Sequence, residues 1–218
     1  MPRPPTKASD IEPARARPAP RTPARGAHAR ELRIIAGMWR GRRWRFPEGE
    51  IRPTGDRVRE TLYNWLQQRV AGRHCLDLYA GSGALGLEAL SRGAAHCVFV
   101  DTEPRVLRAL RALLLEWRAE PAAADLVESP AQRYFARAPR PFELVFLDPP
   151  FAAGELKGAI ARLEQPGWLA PGALIYIEQP RDLALPELPP TWQLLRSGTA
   201  GAVGYHLCER SAREGQPP

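Results

Sequence analysis

Apolar and polar positions in this chain fall into two alternating periods. Short apolar runs of strand length cover 74–79, 96–100 and 142–147, and stretches with helical spacing lie between them. Val58, Leu62, Trp65, Leu66 and Val70 share one helical face, with Thr54 as the expected cap, Asp56 in the first turn and Gly72 as the stop. Helices are expected over 84–92, from Pro104 to about Arg118 with Val106, Leu107, Leu110, Leu113 and Leu114 inward, over 130–137 and over 154–165. A weaker strand is expected near 125–128 and another over 173–178. Two final strands, 192–196 and 203–209, are separated by a turn from Ser197-Gly198 to Gly201, which makes them an antiparallel pair. Strand and helix in alternation predict an α/β fold with a mostly parallel sheet and helices on both faces.

Charge divides the 218 residues unevenly. Residues 1–59 carry 15 Lys and Arg against 6 Asp and Glu, whereas residues 60–218 carry 16 against 18, for a net charge of +7. A basic front end on a near-neutral body suits a polyanionic partner. Residues 1–30 contain seven Pro and six Arg with few large apolar side chains, and are expected to be a disordered tail. They lack the apolar core of a secretory signal. Residues 31–53 follow as a basic extension, 54–210 as the main domain and 211–218 as a second loose end. Within the extension, Arg33, Arg40, Arg42, Arg43 and Arg45 are interleaved with Trp39 and Trp44, and Arg40-Gly41 is read as a hairpin turn. Cations beside flat rings suit single-stranded RNA or loop backbones, and this ribbon is expected to stand apart from any cofactor site.

Three well-separated cysteines, Cys75, Cys97 and Cys208, sit in apolar stretches, each near a histidine (His74, His96, His206). No Cys-x-x-Cys spacing is present, so buried strand thiols are expected rather than a metal site, in a reducing, cytoplasmic setting. No run approaches the ~18 apolar residues of a membrane span.

Two stretches carry chemistry. Asp77 to Gly86 places Gly81-Ser82-Gly83 and a third glycine between a strand and a helix, and Asp101 closes the next strand. Glycines let a ligand approach the backbone, and a strand-end acid binds ribose hydroxyls. A carboxylate at Asp77 disfavours pyrophosphate and suits a cationic amino group, which points to S-adenosyl-L-methionine rather than a dinucleotide. Asp148-Pro149-Pro150-Phe151 follows the strand 142–147 directly. It offers a carboxylate, a stiffly placed carbonyl and a stacking ring, a socket for a planar group with an exocyclic amine.

With these residues in place, the chain resembles the class I, Rossmann-like methyltransferases, and more closely the RsmD-type 16S ribosomal RNA guanine-N2 methyltransferases. The resemblance rests on Arg33 to Gly41, on Arg52-Pro53-Thr54-Gly55-Asp56-Arg57-Val58-Arg59-Glu60-Thr61-Leu62, on Cys75 to Gly93 and on Asp148 to Phe151. It spans about Arg33 to Glu209. It implies a seven-stranded sheet with a C-terminal antiparallel hairpin and S-adenosyl-L-methionine as cofactor. The implied target is a guanine amine of 16S ribosomal RNA or the small ribosomal subunit, and the implied working form is a monomer without metal. By position, Asp77, Ala80, Gly81, Ser82, Gly83, Asp101 and Thr102 would hold the cofactor, with Ala131 of Ser129-Pro130-Ala131 near adenine. An acidic residue often found there in related enzymes is missing. Asp148, Pro149, Pro150 and Phe151 would hold the target amine, and Arg33, Trp39, Arg40, Arg42, Arg43, Arg57 and Arg59 the RNA.

Two other readings stay open at this level. The same amine socket serves DNA adenine-N6, cytosine-N4 or protein glutamine methylation. A non-catalytic RNA-binding protein could also use the scaffold, although the acids and glycines of both stretches are intact.

Overall fold

The computed structural model describes residues 30–46, 55–150 and 154–211. The two tails, Thr54 and the Phe151 ring lie outside these residues, and the cap of the helix that begins at Asp56 is Gly55 rather than the expected Thr54. A two-stranded antiparallel sheet, β1 (Arg30–Arg33) and β2 (Arg43–Phe46), comes first. The main body then runs α1 (Asp56–Leu66), β3 (His74–Asp77), α2 (Ala84–Ser91), β4 (His96–Asp101), α3 (Pro104–Glu116), β5 (Ala124–Glu128), α4 (Ala131–Tyr134), β6 (Phe142–Leu147), α5 (Glu155–Leu163), β7 (Leu169–Pro180), β8 (Trp192–Ala200) and β9 (Val203–Arg210).

Its seven strands lie in the order β5-β4-β3-β6-β7-β9-β8. The pairings from β5 to β7 are parallel, and β9 runs antiparallel between β7 and β8. This is the Rossmann-like class I methyltransferase arrangement expected from the sequence. Strand order reverses at β3 and β6, whose carboxyl ends open the crevice where such sheets bind ligands.

Alternation along the strands divides the core. Cys75, Phe99, Phe146 and Tyr176 point to the side covered by α1, α2, α3 and the small sheet. Leu76, Val98, Val145 and Ile175 point to the side covered by α4 and α5. All three cysteines are buried, and burial pushes their thiols up, Cys208 to about 12. Among the described residues no cluster of His, Cys, Asp and Glu could hold a metal ion, and no helix is long and apolar enough to cross a membrane.

Three expectations about local structure are corrected. Helix α1 stops at Leu66, because Gln67 turns to φ 49° and the chain folds back to bury Val70. Strand β8 continues through Ser197 and Gly198 to Ala200, and Gly201, at φ 59°, makes the turn. Gly198 is needed within the strand because a Cβ there would lie 2.6 Å from the Tyr205 ring. In the basic extension, Arg40-Gly41 does form a tight turn, closed by the Arg42 N–H on the Trp39 carbonyl at 3.0 Å with Gly41 at φ 81°, but it belongs to a longer loop rather than joining the two strands directly. Ile34 bonds to Arg42 and Gly41, and the loop between them is docked on α2.

Candidate active site

The loop after β3 is built on backbone freedom. Gly81 and Gly83 both have left-handed φ, 49° and 74°. A Cβ at Gly83 would lie 2.2 Å from Leu110, and one at Gly86 would lie 2.3 Å from Phe99. The third glycine of the motif therefore lets α2 sit directly on β4. Ala80 N–H donates to the Val100 carbonyl at 2.9 Å, and Gly83 N–H to the Ala80 carbonyl at 2.7 Å. Ala80 and Ser82 are buried.

Two acids hold this loop. Asp101 ends β4 and accepts the Gly81 N–H on one oxygen and the Glu103 N–H on the other, each at 2.8 Å. Each carboxylate oxygen keeps a second lone pair for a hydroxyl donor. Thr102 is exposed beside it. Asp77 departs from the open carboxylate expected at the strand mouth. It is 2 % exposed and accepts the Gly86 N–H at 3.0 Å. Burial is the main reason its carboxyl is pushed up to about 8; the Gly86 bond opposes the shift, and the charges of Asp101 and Glu178 add to it.

Across the switch point, β6 delivers Asp148, half-buried, then Pro149, buried, and Pro150, exposed. The neighbouring strand carries a residue that the sequence reading missed. Leu147 pairs with Ile177, so Asp148 and Glu178 are the next residues on adjacent strands. Glu178 is 3 % exposed and accepts the Tyr176 hydroxyl at 2.9 Å. Burial first, then the Glu178 and Asp148 charges, raise that hydroxyl well above its ordinary value. Glu178 was legible in principle: like Asp77, Asp101 and Asp148, it is an acid at the carboxyl end of an apolar run.

A second missed group ties three loops together. Glu155, at the start of α5, accepts the Gln132 amide at 2.6 Å and the Tyr79 hydroxyl at 3.3 Å. These residues come from the segments after β6, β5 and β3. Ala131 is buried at the start of α4, and Ser129 N–H donates to the Asp101 carbonyl at 3.0 Å. The segment assigned to adenine is thereby fixed to the strand end assigned to ribose.

The basic residues divide. Arg40, Arg42, Arg43 and Arg57 are exposed. Arg43 pairs with Glu31 at 2.8 Å and Arg33 with Asp56 at 2.7 Å. Arg59 is no surface contact. It is fully buried, bonded to Asp56 at 2.6 Å, to the Arg33 carbonyl at 2.9 Å and to Glu88 at 3.4 Å. Trp39 and Trp44 are no stacking platform either, since both are buried against Trp117, with ring centroids 5.4 and 5.7 Å away. Nor does the ribbon stand apart from the glycine loop: the Trp44 indole N–H donates to the Ser82 carbonyl at 3.1 Å.

Comparison with known proteins agrees with this architecture. The family described as conserved hypothetical protein 95 matches residues 32–209. Ribosomal RNA small subunit methyltransferase D of Escherichia coli is 45% identical over 184 residues, 84% of this chain and 92% of that protein. Its Haemophilus influenzae counterpart is 41% identical over 180 residues, 81% and 93% of the two chains. The solved structure of yhhF from Escherichia coli superimposes with a TM-score of 0.78 at 44% identity, covering 84% of this chain and 99% of that one. Matched along nearly all of its described length, the chain belongs to the conserved hypothetical protein 95 family, together with the small-subunit ribosomal RNA methyltransferase D proteins.

Proposed function

We propose that this protein transfers a methyl group from S-adenosyl-L-methionine to the exocyclic N2 amine of a guanine in small-subunit ribosomal RNA. The observation that carries the reading is the meeting of two features at one switch point: the glycine loop held by Asp101, and the Asp148-Pro149 pair at the end of the adjacent strand β6. The names of the relatives support ribosomal RNA as the target.

The residues present fit the cofactor. Left-handed glycines bare the loop backbone, Asp101 has acceptor capacity for ribose hydroxyls, and the Asp77 carboxyl lies beneath the loop where a cationic amino group would favour its charged form. When bound, the cofactor supplies an electrophilic methyl on a sulfonium. The Asp148 carboxylate and the Pro149 carbonyl accept the two amine hydrogens, which turns the nitrogen lone pair toward that methyl. Once methylated, the amine nitrogen would carry a positive charge, and Asp148 or water would take the proton it sheds. Catalysis on this reading is orientation and electrostatics, with no strong base required.

Chemistry also favours guanine. Beside its amine, guanine carries an N1–H donor, whereas adenine and cytosine carry a ring-nitrogen acceptor at that place. Asp148, half-buried just after β6, puts a carboxylate acceptor where the first pattern is attracted and the second repelled, with the buried Glu178 beside it on β7 adding negative charge.

Nucleoside mass spectrometry of ribosomal RNA from a strain lacking the gene tests the reading. Loss of one N2-methylguanine from the small-subunit RNA is expected. Unchanged ribosomal RNA, with methylation of DNA or protein by the purified enzyme, would move the substrate to another exocyclic amine.

A further inference from the structure

We propose that Trp44 is a positioning residue for the cofactor loop, so that the N-terminal extension completes the cofactor site as well as facing RNA. The inference rests on the reading of that loop as the S-adenosyl-L-methionine site.

Ser82 lies between two glycines in left-handed conformation, the most freely rotating backbone in the loop. Its other hydrogen-bonded ties come from the surrounding strand–loop–helix unit: Ala80 on Val100, Gly81 on Asp101 and Gly83 on Ala80. The Ser82 carbonyl is held from outside, by the Trp44 indole N–H at 3.1 Å. Donor and acceptor residues are both buried, so water is a poor substitute partner.

The indole is itself fixed. It packs edge-on to Trp117 at 5.7 Å, and Trp39 leans on the same ring. The segment leading to it is fastened to α2, the helix that springs from the loop. Ile35 and Ala36 N–H groups donate to Glu88 at 2.8 and 3.0 Å, and Trp39 N–H donates to the Ser91 hydroxyl at 3.0 Å. Gly37, at φ 87°, sits where a Cβ would lie 1.8 Å from the Ser91 carbonyl. The extension thus grips one continuous segment at Ser82, Glu88 and Ser91. Strand β2 is two-faced: Arg43 and Arg45 are exposed, and Trp44 and Phe46 point inward. Residues open to RNA and the residue that sets the cofactor loop are chain neighbours.

Trp44→Phe keeps an aromatic ring and removes the N–H. Calorimetry on the full chain should show S-adenosylmethionine and S-adenosylhomocysteine binding weakened by roughly 5- to 20-fold, the scale of losing a buried neutral hydrogen bond. The turnover number at saturating cofactor should stay within about twofold, and RNA affinity without cofactor should not change, because Arg43 and Arg45 face the other way and the phenyl ring still packs on Trp117, over which Arg42 lies at 5.9 Å. Amide hydrogen exchange at 81–84 should quicken while α3 amides hold. If packing loss obscures the result, a benzothiophene isostere of the Trp44 indole, which keeps the bicycle and lacks the N–H, should reproduce the weakened cofactor binding. Wild-type cofactor affinity and loop exchange in the isostere would overturn the proposal. A wild-type protein that fails to bind the cofactor would instead overturn the site reading on which the proposal rests.

Discussion

Arg59 and Glu88 face each other across the α1–α2 contact at 3.4 Å, and neither side chain has any exposed surface. Glu88 also accepts the Ile35 and Ala36 backbone amides and the Arg92 guanidinium, so one carboxylate joins the extension, α1 and α2. Removing Glu88 leaves the buried Arg59 with Asp56 as its remaining carboxylate partner and strips the Ile35 and Ala36 amides of their acceptor. Glu88→Ala should therefore destabilise the fold by about 3–5 kcal/mol, read as a lowered urea midpoint. A loss within ~1 kcal/mol, the usual scale of an exposed ion pair, would show that the site is solvated.

Asp148→Ala should abolish methyl transfer and leave cofactor affinity within a few-fold. Asp148 follows β6 at the amine end of the site, whereas the loop ties run through Asp101 and Asp77. Losing one oriented acceptor costs about 3–4 kcal/mol of transition-state stabilisation, by analogy with an oxyanion-hole donor. Single-turnover methylation with calorimetry of cofactor binding separates the two effects, and near-normal turnover would remove Asp148 from the chemistry.

Asp77 makes stability depend on pH. Its folded carboxyl is held at about 8, above the ordinary carboxylate value of the unfolded chain. Between those values the unfolded state has lost the proton that the folded state keeps, so stability falls as pH rises from about 4 to about 8 and levels off above. The slope from this one group is at most about 1.4 kcal/mol per pH unit. Urea unfolding of wild type and Asp77→Asn across that window checks it. Their stability difference should shift steadily in favour of Asn as pH rises. A pH-independent difference would mean that the carboxylate is ionised throughout.

The exposed basic residues should govern RNA attraction. Arg40→Ala, Arg42→Ala and Arg43→Ala combined should weaken RNA binding and flatten its salt dependence, by roughly 0.7 in logarithmic slope per lost single-strand phosphate contact. Cofactor affinity should hold, because the Trp44 contact is left intact. Filter binding at several salt concentrations decides. An unchanged slope would make these arginines solvated decoration on a structural sheet.

Particular residues show what could be read in advance. Strand β6 was found to the residue because an apolar run stops at Asp148-Pro149-Pro150, and prolines are unambiguous punctuation. The glycine loop was equally plain, since only close packing at Gly83 and Gly86 demands that spacing. Arg59 was misplaced because face assignment followed hydrophobicity. It lies with Leu62, Tyr63 and Leu66 on the buried face of α1, and its charge concealed the position. Trp39 and Trp44 misled for the opposite reason: an aromatic among arginines looks like a nucleic-acid platform whether its ring faces out or, as here, meets Trp117 inside. Such residues are decided by long-range partners, which local spacing does not encode.

The placing of β9 between β7 and β8 sets an order of assembly during synthesis. Strand β8 leaves the ribosome first, yet among the described residues its one sheet neighbour is β9. Until β9 emerges and seats against β7, a nascent chain carries β7 as an open edge and β8 as an unattached ribbon. The parallel strands that bear the glycine loop and Asp148 are complete by then. The crevice between β3 and β6 can thus take shape on a sheet that still lacks its last two strands, and the step that seals the sheet falls to the strand farthest along the chain from the glycine loop.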